Sequence, residues 1–214
     1  MLRAKPILGF LGRFLLVFAL LVAPWPGWTE AYARVLRKAA KAVYGSFGSK
    51  GVVVFRPNPE GDRTMDTVIY VGNRERLNAR QGGEAARFTF NSREVAYFPT
   101  ALVIALVLAT GLPWRRRAWA LGWALVGIHL FVVGLLGLMI FQTVDTHPWL
   151  GLFQLPLLGG KIVSILCEIL LTYSGATLAV TVLIWILATF RRDEWIGLLG
   201  ETLPKANAGD PRRR

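Results

Sequence analysis

The side chains that could do chemistry are Arg93, His129, Asp145, His147, Cys167 and Glu168. Cys167 is the only cysteine, which excludes a disulfide framework and any multi-cysteine metal or iron–sulfur site within the chain. A thiol attacks as its thiolate, helped by a base and by a cation that stabilises the oxyanion. Cys167, His147 and Arg93 supply those types, the parts of a membrane-embedded cysteine protease or transpeptidase-like enzyme at a periplasmic face. Glu168 argues the other way, because a neighbouring carboxylate raises a thiol's pKa. Asp145 precedes His147 by two residues, a spacing common enough in loops to specify little. His129 sits in the middle of an apolar run. One imidazole there could ligate a haem or chlorophyll, or bond to a backbone carbonyl or to Tyr173 or Ser174. No Walker loop, dinucleotide glycine fingerprint, His-Glu-x-x-His or Gly-x-Ser-x-Gly motif is present. No cofactor and no metal is expected.

The elements that must position these groups are largely apolar. The 214 residues are 54% hydrophobic with a mean hydropathy of +0.45, against about 45–50% for an ordinary soluble domain. The excess gathers in four segments near the length of about twenty residues that a bilayer core requires. They predict a membrane all-α fold of four transmembrane helices with a small extramembrane α+β domain. Residues 1–27 hold the first helix, read as uncleaved although Ala31-Tyr32-Ala33 has the form of a signal cleavage site. Residues 28–95 form the outer domain. Its first part places Tyr32, Val35, Leu36, Ala39, Val43 and Phe47 at helical spacing, with Arg34, Arg37, Lys38 and Lys41 mostly on the other side. That is a basic amphipathic helix suited to a membrane surface. Residues 52–55, 67–71 and 86–90 are rich in β-branched and aromatic side chains, separated by turn chemistry at residues 57–62 and 81–83. A three- or four-stranded antiparallel meander follows. Residues 96–192 form a three-helix membrane domain, with helices over 96–112, 118–141 and 161–190 and an outer loop over 142–160. Residues 193–214 are a polar tail.

The net charge of +12 would suggest nucleic acid in a soluble protein. Here no aromatic-interleaved basic sheet and no helix-turn-helix pattern supports that partner. The basic residues instead report topology and contact with anionic headgroups. Arg115, Arg116 and Arg117, with Arg191-Arg192 and the basic N-terminus, place both termini in the cytoplasm of a multi-pass inner-membrane protein, with residues 28–95 periplasmic. A charge at membrane depth is costly unless paired. Glu168 is therefore expected to contact Arg93, with Lys161 as the alternative. Arg93 and Tyr97 lie where the last strand runs into the second helix with almost no linker, so they are expected to couple the outer domain to the membrane.

Cys167, His147 and Arg93 resemble exosortases in residue types and depth. The order differs, since the exosortase cysteine precedes the arginine and histidine and sits in a Cys-Ser-Gly type motif. A second resemblance rests on Asn91-Ser92-Arg93, Tyr97-Phe98-Pro99-Thr100-Ala101-Leu102, Leu108-Ala109-Thr110 and the Trp114-Arg115-Arg116-Arg117 turn. With the layout of a helix, an outer β domain and further helices, these words resemble small uncharacterised bacterial membrane proteins associated with exosortase systems. No defined activity comes with that resemblance. The reading that results is a non-enzymatic subunit or accessory factor of a cell-envelope complex, with the outer domain contacting a protein partner. The alternatives are the cysteine enzyme and a haem- or chlorophyll-binding subunit.

Overall fold

The computed structural model describes residues 4–23, 25–59, 65–78, 85–153, 156–172 and 174–190. The expected turn at residues 81–83, part of that at 57–62, the Arg191-Arg192 pair and the tail lie outside the described residues. The chain opens with α1 (Ala4–Val22), apolar apart from its first turn and Arg13. Gly27, at φ 74°, then turns it into α2 (Trp28–Tyr44) through a left-handed conformation that other residues rarely adopt. Ala33, Leu36 and Ala40 repeat at helical spacing along α2 and are its buried face.

The sheet is a four-stranded antiparallel meander of β1 (Ser46–Phe47), β2 (Gly51–Pro57), β3 (Thr67–Asn73) and β4 (Ala86–Phe90), in chain order. A short α3 (Arg74–Asn78) follows β3. Val53 pairs with Val71, Phe55 with Ile69, and Ile69 with Phe88, so alternate residues of three strands share one face. That face packs with Leu36 and Ala40 into one core.

β4 continues with no loop. After Asn91 and Ser92 the backbone forms a π turn (Arg93–Tyr97) and then α4 (Phe98–Ala109). The Pro99 ring crowds the Val95 carbonyl four residues back, so the ordinary four-residue ladder is disturbed here. The Phe98 N–H instead reaches the Arg93 carbonyl five residues back. Next comes α5 (Trp114–Thr146), whose 33 residues span about 50 Å. A 3-10 turn (Pro148–Leu150), α6 (Leu157–Cys167), a second π turn (Glu168–Thr172) and α7 (Ser174–Thr189) complete the described chain.

The buried residues of α5 include Ala120, Ala124, Ile128, Val132, Leu136, Ile140 and Val144, every fourth position. Four residues overshoot one helical turn, so the stripe winds round the helix by about 40° a step and about 240° from end to end. One helix therefore serves two cores. Ala120, Ala124 and Ile128 pack with Val103 and Val107 of α4, with Ile184 of α7 against them. Val132, Leu136, Ile140 and Val144 pack with the sheet and α2.

The expected four transmembrane helices are not found. Among the described residues one helix, Trp114–Thr146, is long and apolar enough to cross a membrane. Leu157–Leu170 with Gly175–Thr189 passes only as one span bent by 87°, which makes two at most. The apolar residues are where the sequence puts them, but the helices they form are shorter. The apolar part of α1 stops at Val22. α4 has 12 residues, about 18 Å, and Val103, Ala105 and Val107 are fully buried between its neighbours. The single helix expected over 161–190 divides at the second π turn. The loop expected over 142–160 is partly helical, since α5 runs to Thr146 and α6 begins at Leu157. Multi-pass insertion through four spans falls with that count.

One bond sets α2 against α5. The Tyr44 hydroxyl donates to the Val133 carbonyl at 2.8 Å, and a Cβ on Gly137 would lie 2.5 Å from that hydroxyl. Gly134, one turn away, has nothing within 4 Å of a built Cβ. Gly134→Ala should leave stability unchanged or raise it by up to about 1 kcal/mol through helix propensity. Gly137→Ala should lower it, and Tyr44→Phe should relieve part of that loss, with a coupling of about 0.5–3 kcal/mol in a thermal-unfolding cycle. Equal midpoints for the two alanine variants would show that the close approach does not matter.

Candidate functional site

The structure does not assemble the chemical candidates. Cys167 is buried at the end of α6. The His147 Nδ1 lies 2.8 Å from the Thr143 carbonyl and 3.1 Å from the Thr146 hydroxyl, and its ring stands edge-on to Trp149. The imidazole is thus folded back on the end of its own helix. Arg93 is exposed, with its guanidinium carbon 5.2 Å from the centre of the Phe98 ring. The wide π turn brings residues five apart into register, which ordinary helical spacing would not. No hydrogen bond, ion pair or ring contact joins Cys167, His147 and Arg93 among the described residues.

The expected Arg93–Glu168 contact is not formed either. Glu168 is exposed, and the ion pairs among the described residues are Arg34–Glu30 and Lys50–Glu75. Lys161, the alternative partner, is exposed as well. His129 faces outward from α5 rather than into a bundle, with Nδ1 2.8 Å from the Leu125 carbonyl one turn back. Tyr173 and the Ser174 side chain lie outside what the structure describes. Asp145 packs against the first turn of α6, where a Cβ on Gly160 would come within 2.8 Å of its carboxylate. A helix start favours negative charge. Among the described residues no three His, Cys, Asp or Glu side chains converge on a metal-sized site.

What the structure builds instead is a polar joint between the sheet and the helices. Its centre is the Asp66 carboxylate, just before β3. It accepts hydrogen bonds from the Thr67 hydroxyl at 2.7 Å, the Ser92 hydroxyl and, at 3.4 Å, the Ser92 amide. Ser92 and Thr67 are 1% and 3% exposed, so their hydroxyls need these partners. Arg37 reaches in from α2 to the Thr67 hydroxyl at 3.2 Å. It is therefore not a purely surface residue, whereas Arg34 pairs with Glu30 at 3.0 Å and Lys38 and Lys41 stay exposed. Asn91 caps the π turn, its side-chain oxygen accepting the Arg93 and Glu94 amides at 3.1 and 3.2 Å.

Two tyrosines extend the joint. The Thr100 hydroxyl gives its only hydrogen to the Ala96 carbonyl at 2.8 Å, so the Tyr32 hydroxyl, 3.2 Å away, is the donor of the pair. Tyr32 meets Tyr97 edge-on at 5.3 Å, and the Tyr97 hydroxyl donates to the Leu21 carbonyl near the end of α1. α1, α2, the π turn and α4 are thereby tied at one point. Burial pushes the Tyr32 phenol above its ordinary value of 10.0, more than the Thr100 bond lowers it, and burial raises Tyr44 too. On the far side of the sheet, the Asn73 amide donates to the Leu150 carbonyl at 3.1 Å, and Arg76 donates to the Trp149 carbonyl. That pins the 3-10 turn after α5.

The opposite end of α5 carries the arginine turn. Arg117 donates to the Thr110 carbonyl at 3.1 Å, just past α4, and Arg116 to the Thr189 carbonyl at 2.9 Å, the last residue of α7. Cations at helix C-termini stabilise the unpaired carbonyls there. Phe10 lies 6.3 Å from Trp185, so the start of α1 and the end of α7 share this base. The arginine turn and the sheet thus occupy opposite ends of α5.

Sequence reasoning located the joint at residues 91–97 but missed Asp66, Tyr44, Asn73 and Thr100. The partners that tie them across the fold are 26 to 89 positions away, and no local spacing encodes those. Comparison with protein-family models, with curated proteins and with solved structures finds no match for this chain.

Asp66→Ala should cost about 1–3 kcal/mol by stranding the two buried hydroxyls, and Asp66→Asn, which keeps an acceptor, should cost less. A wild-type unfolding midpoint for Asp66→Ala would show that this cluster does not hold the joint. Because the folded Tyr32 value lies above the unfolded one, its contribution is complete below about pH 10 and is lost as the pH rises through the folded value. Tyr32→Phe should flatten the alkaline fall in stability, measured as midpoint against pH from 8 to 11; an unchanged slope would exclude it as a contributor.

Proposed function

We propose that this protein is a non-enzymatic accessory subunit of a bacterial cell-envelope complex. It is held in the inner membrane by α5 and the apolar faces beside it, and its sheet module meets a protein partner on the periplasmic side. The observation that carries the reading is the double role of α5. Its second half is cored against the sheet and its first half against α4 and α7, so one helix supports both the sheet and the apolar end.

The surface supports a lipid-facing location. Leu8, Leu16, Trp119, Leu130, Leu157 and Leu187 are each more than half exposed, on α1, α5, α6 and α7. Large apolar side chains exposed on four helices suit a lipid-facing surface better than water. The arginine turn at the far end of α5 from the sheet suits a cytoplasmic flank. On the sheet, Val52, Val54 and Tyr70 form a half-buried face opposite the one packed on α2 and α5, which suits a protein contact better than lipid.

An alkaline carbonate wash of native membranes should leave the full chain in the pellet. Crosslinking at Val54 and Tyr70, replaced one at a time by a photoreactive residue, should then trap one recurrent envelope protein. Val54→Glu should abolish that product while the chain stays in the membrane. Release of the chain by carbonate would reject the membrane location, and crosslinks confined to lipid would reject the partner.

A further inference from the structure

The outer side of α5 near the arginine turn is grooved. Arg115, Arg116, Trp119, Trp123 and Phe190 border a cleft of about 660 Å³ between α5 and the end of α7. Two shallower hollows of about 430 and 380 Å³ continue along α5, past Gly122 and Val126 and past Gly127 and Ile184. Gly127 opens the second of these, since a Cβ there would lie 3.0 Å from Ile184.

The chemistry changes along the groove. Its mouth is cationic: Arg115 is exposed and makes no hydrogen bond or ion pair among the described residues, and Arg116 crosses from α5 to the Thr189 carbonyl beside it. Below the mouth come Trp119 and Trp123, one turn apart and 72% and 64% exposed. Below them Val126 lines one hollow, on α5 alone, and Ile184 and Leu187 line the other, on the α7 side of Trp123. From Arg115 to Val126 is about 16 Å along the helix, close to the half-thickness of a hydrocarbon core of about 30 Å. An acyl chain fits the apolar stretch, and indoles suit the headgroup boundary above it. At the mouth, guanidinium forks match phosphate oxygens. The start of α5 has no side-chain cap, so its first amides add positive potential beside them.

We propose that this groove is a binding site for an anionic phospholipid, with the headgroup phosphate at Arg115 and Arg116 and one acyl chain along Trp119, Trp123 and Val126. The inference rests on the membrane location proposed above. The headgroup lies at the end opposite the sheet, where Arg116 bridges α5 to α7.

Native mass spectrometry of the full chain in neutral detergent, titrated with phosphatidylglycerol or with phosphatidylcholine of the same acyl chains, tests this. One phosphatidylglycerol should be retained per chain, about tenfold more tightly than phosphatidylcholine, as expected for a charge contact near the membrane surface. Arg115→Ala should remove most of that preference. Trp119→Ala should weaken both lipids together, and Lys38→Ala, on the opposite end of the molecule, should change neither. Equal retention of the two lipids, or a preference that survives Arg115→Ala in a chain whose unfolding midpoint is unchanged, would overturn the site. A chain that resists the carbonate wash yet shows no headgroup preference loses this inference alone. A chain released by the wash loses the membrane reading as well.

Discussion

The structure depends on the four-residue spacing of small and branched side chains along α5. A strict seven-residue repeat would keep one face toward one partner, whereas steps of four carry the buried stripe around the helix. Ala120 and Ala124, at the arginine end, let α4 approach closely, and Val132, Leu136 and Ile140 fill the gap under the sheet. Each fully buried Val, Leu or Ile side chain contributes about 1.5–3 kcal/mol relative to its exposed state. Neither core is complete without α5. The sheet module and the helical end are therefore not separate domains joined by a linker, although composition alone divides them near residue 96.

The polar joint follows from the same geometry. Once the sheet and α4 are both set against α5, the chain between them has only Asn91 and Ser92 in which to turn. Both are buried; Asp66 accepts from the Ser92 amide and hydroxyl, and the Asn91 side-chain oxygen accepts the Arg93 and Glu94 amides that open the turn. The wider turn before Pro99 then places Arg93 over Phe98. The residue read as a charge partner for Glu168 is spent on an aromatic ring five positions away.

Local pattern made much of the fold legible. The amphipathic spacing of residues 28–44, the β-branched runs that became β2, β3 and β4, and the absence of slack between β4 and the next helix all followed from neighbours in the chain. The two-residue β1 was too short to leave a period. The span count failed for a different reason. Apolar content says where a helix is greasy, not where it ends, and a π turn has the composition of any other helix. α4 reads as lipid-facing because it is apolar all round, yet it is sheathed by protein. For the candidate site, the position of Arg93 and Tyr97 at the hinge was readable, and their partners were not. Tyr44 and Gly137, or Asp66 and Ser92, meet only after the chain has folded back, and a single sequence carries no trace of such pairs.

The length of α5 limits what can engage the sheet. At about 50 Å it exceeds a hydrocarbon core of about 30 Å by some 20 Å, hardly more than the headgroup layers on the two sides. Directly beyond it, the 3-10 turn that follows α5 is clamped by Asn73 and Arg76. A helix crossing the bilayer in this way would carry the sheet as a collar at the lipid surface, with no stalk beneath it. In that placement whatever binds the sheet would graze the membrane, and a freely diffusing ligand would find half of its approach directions closed.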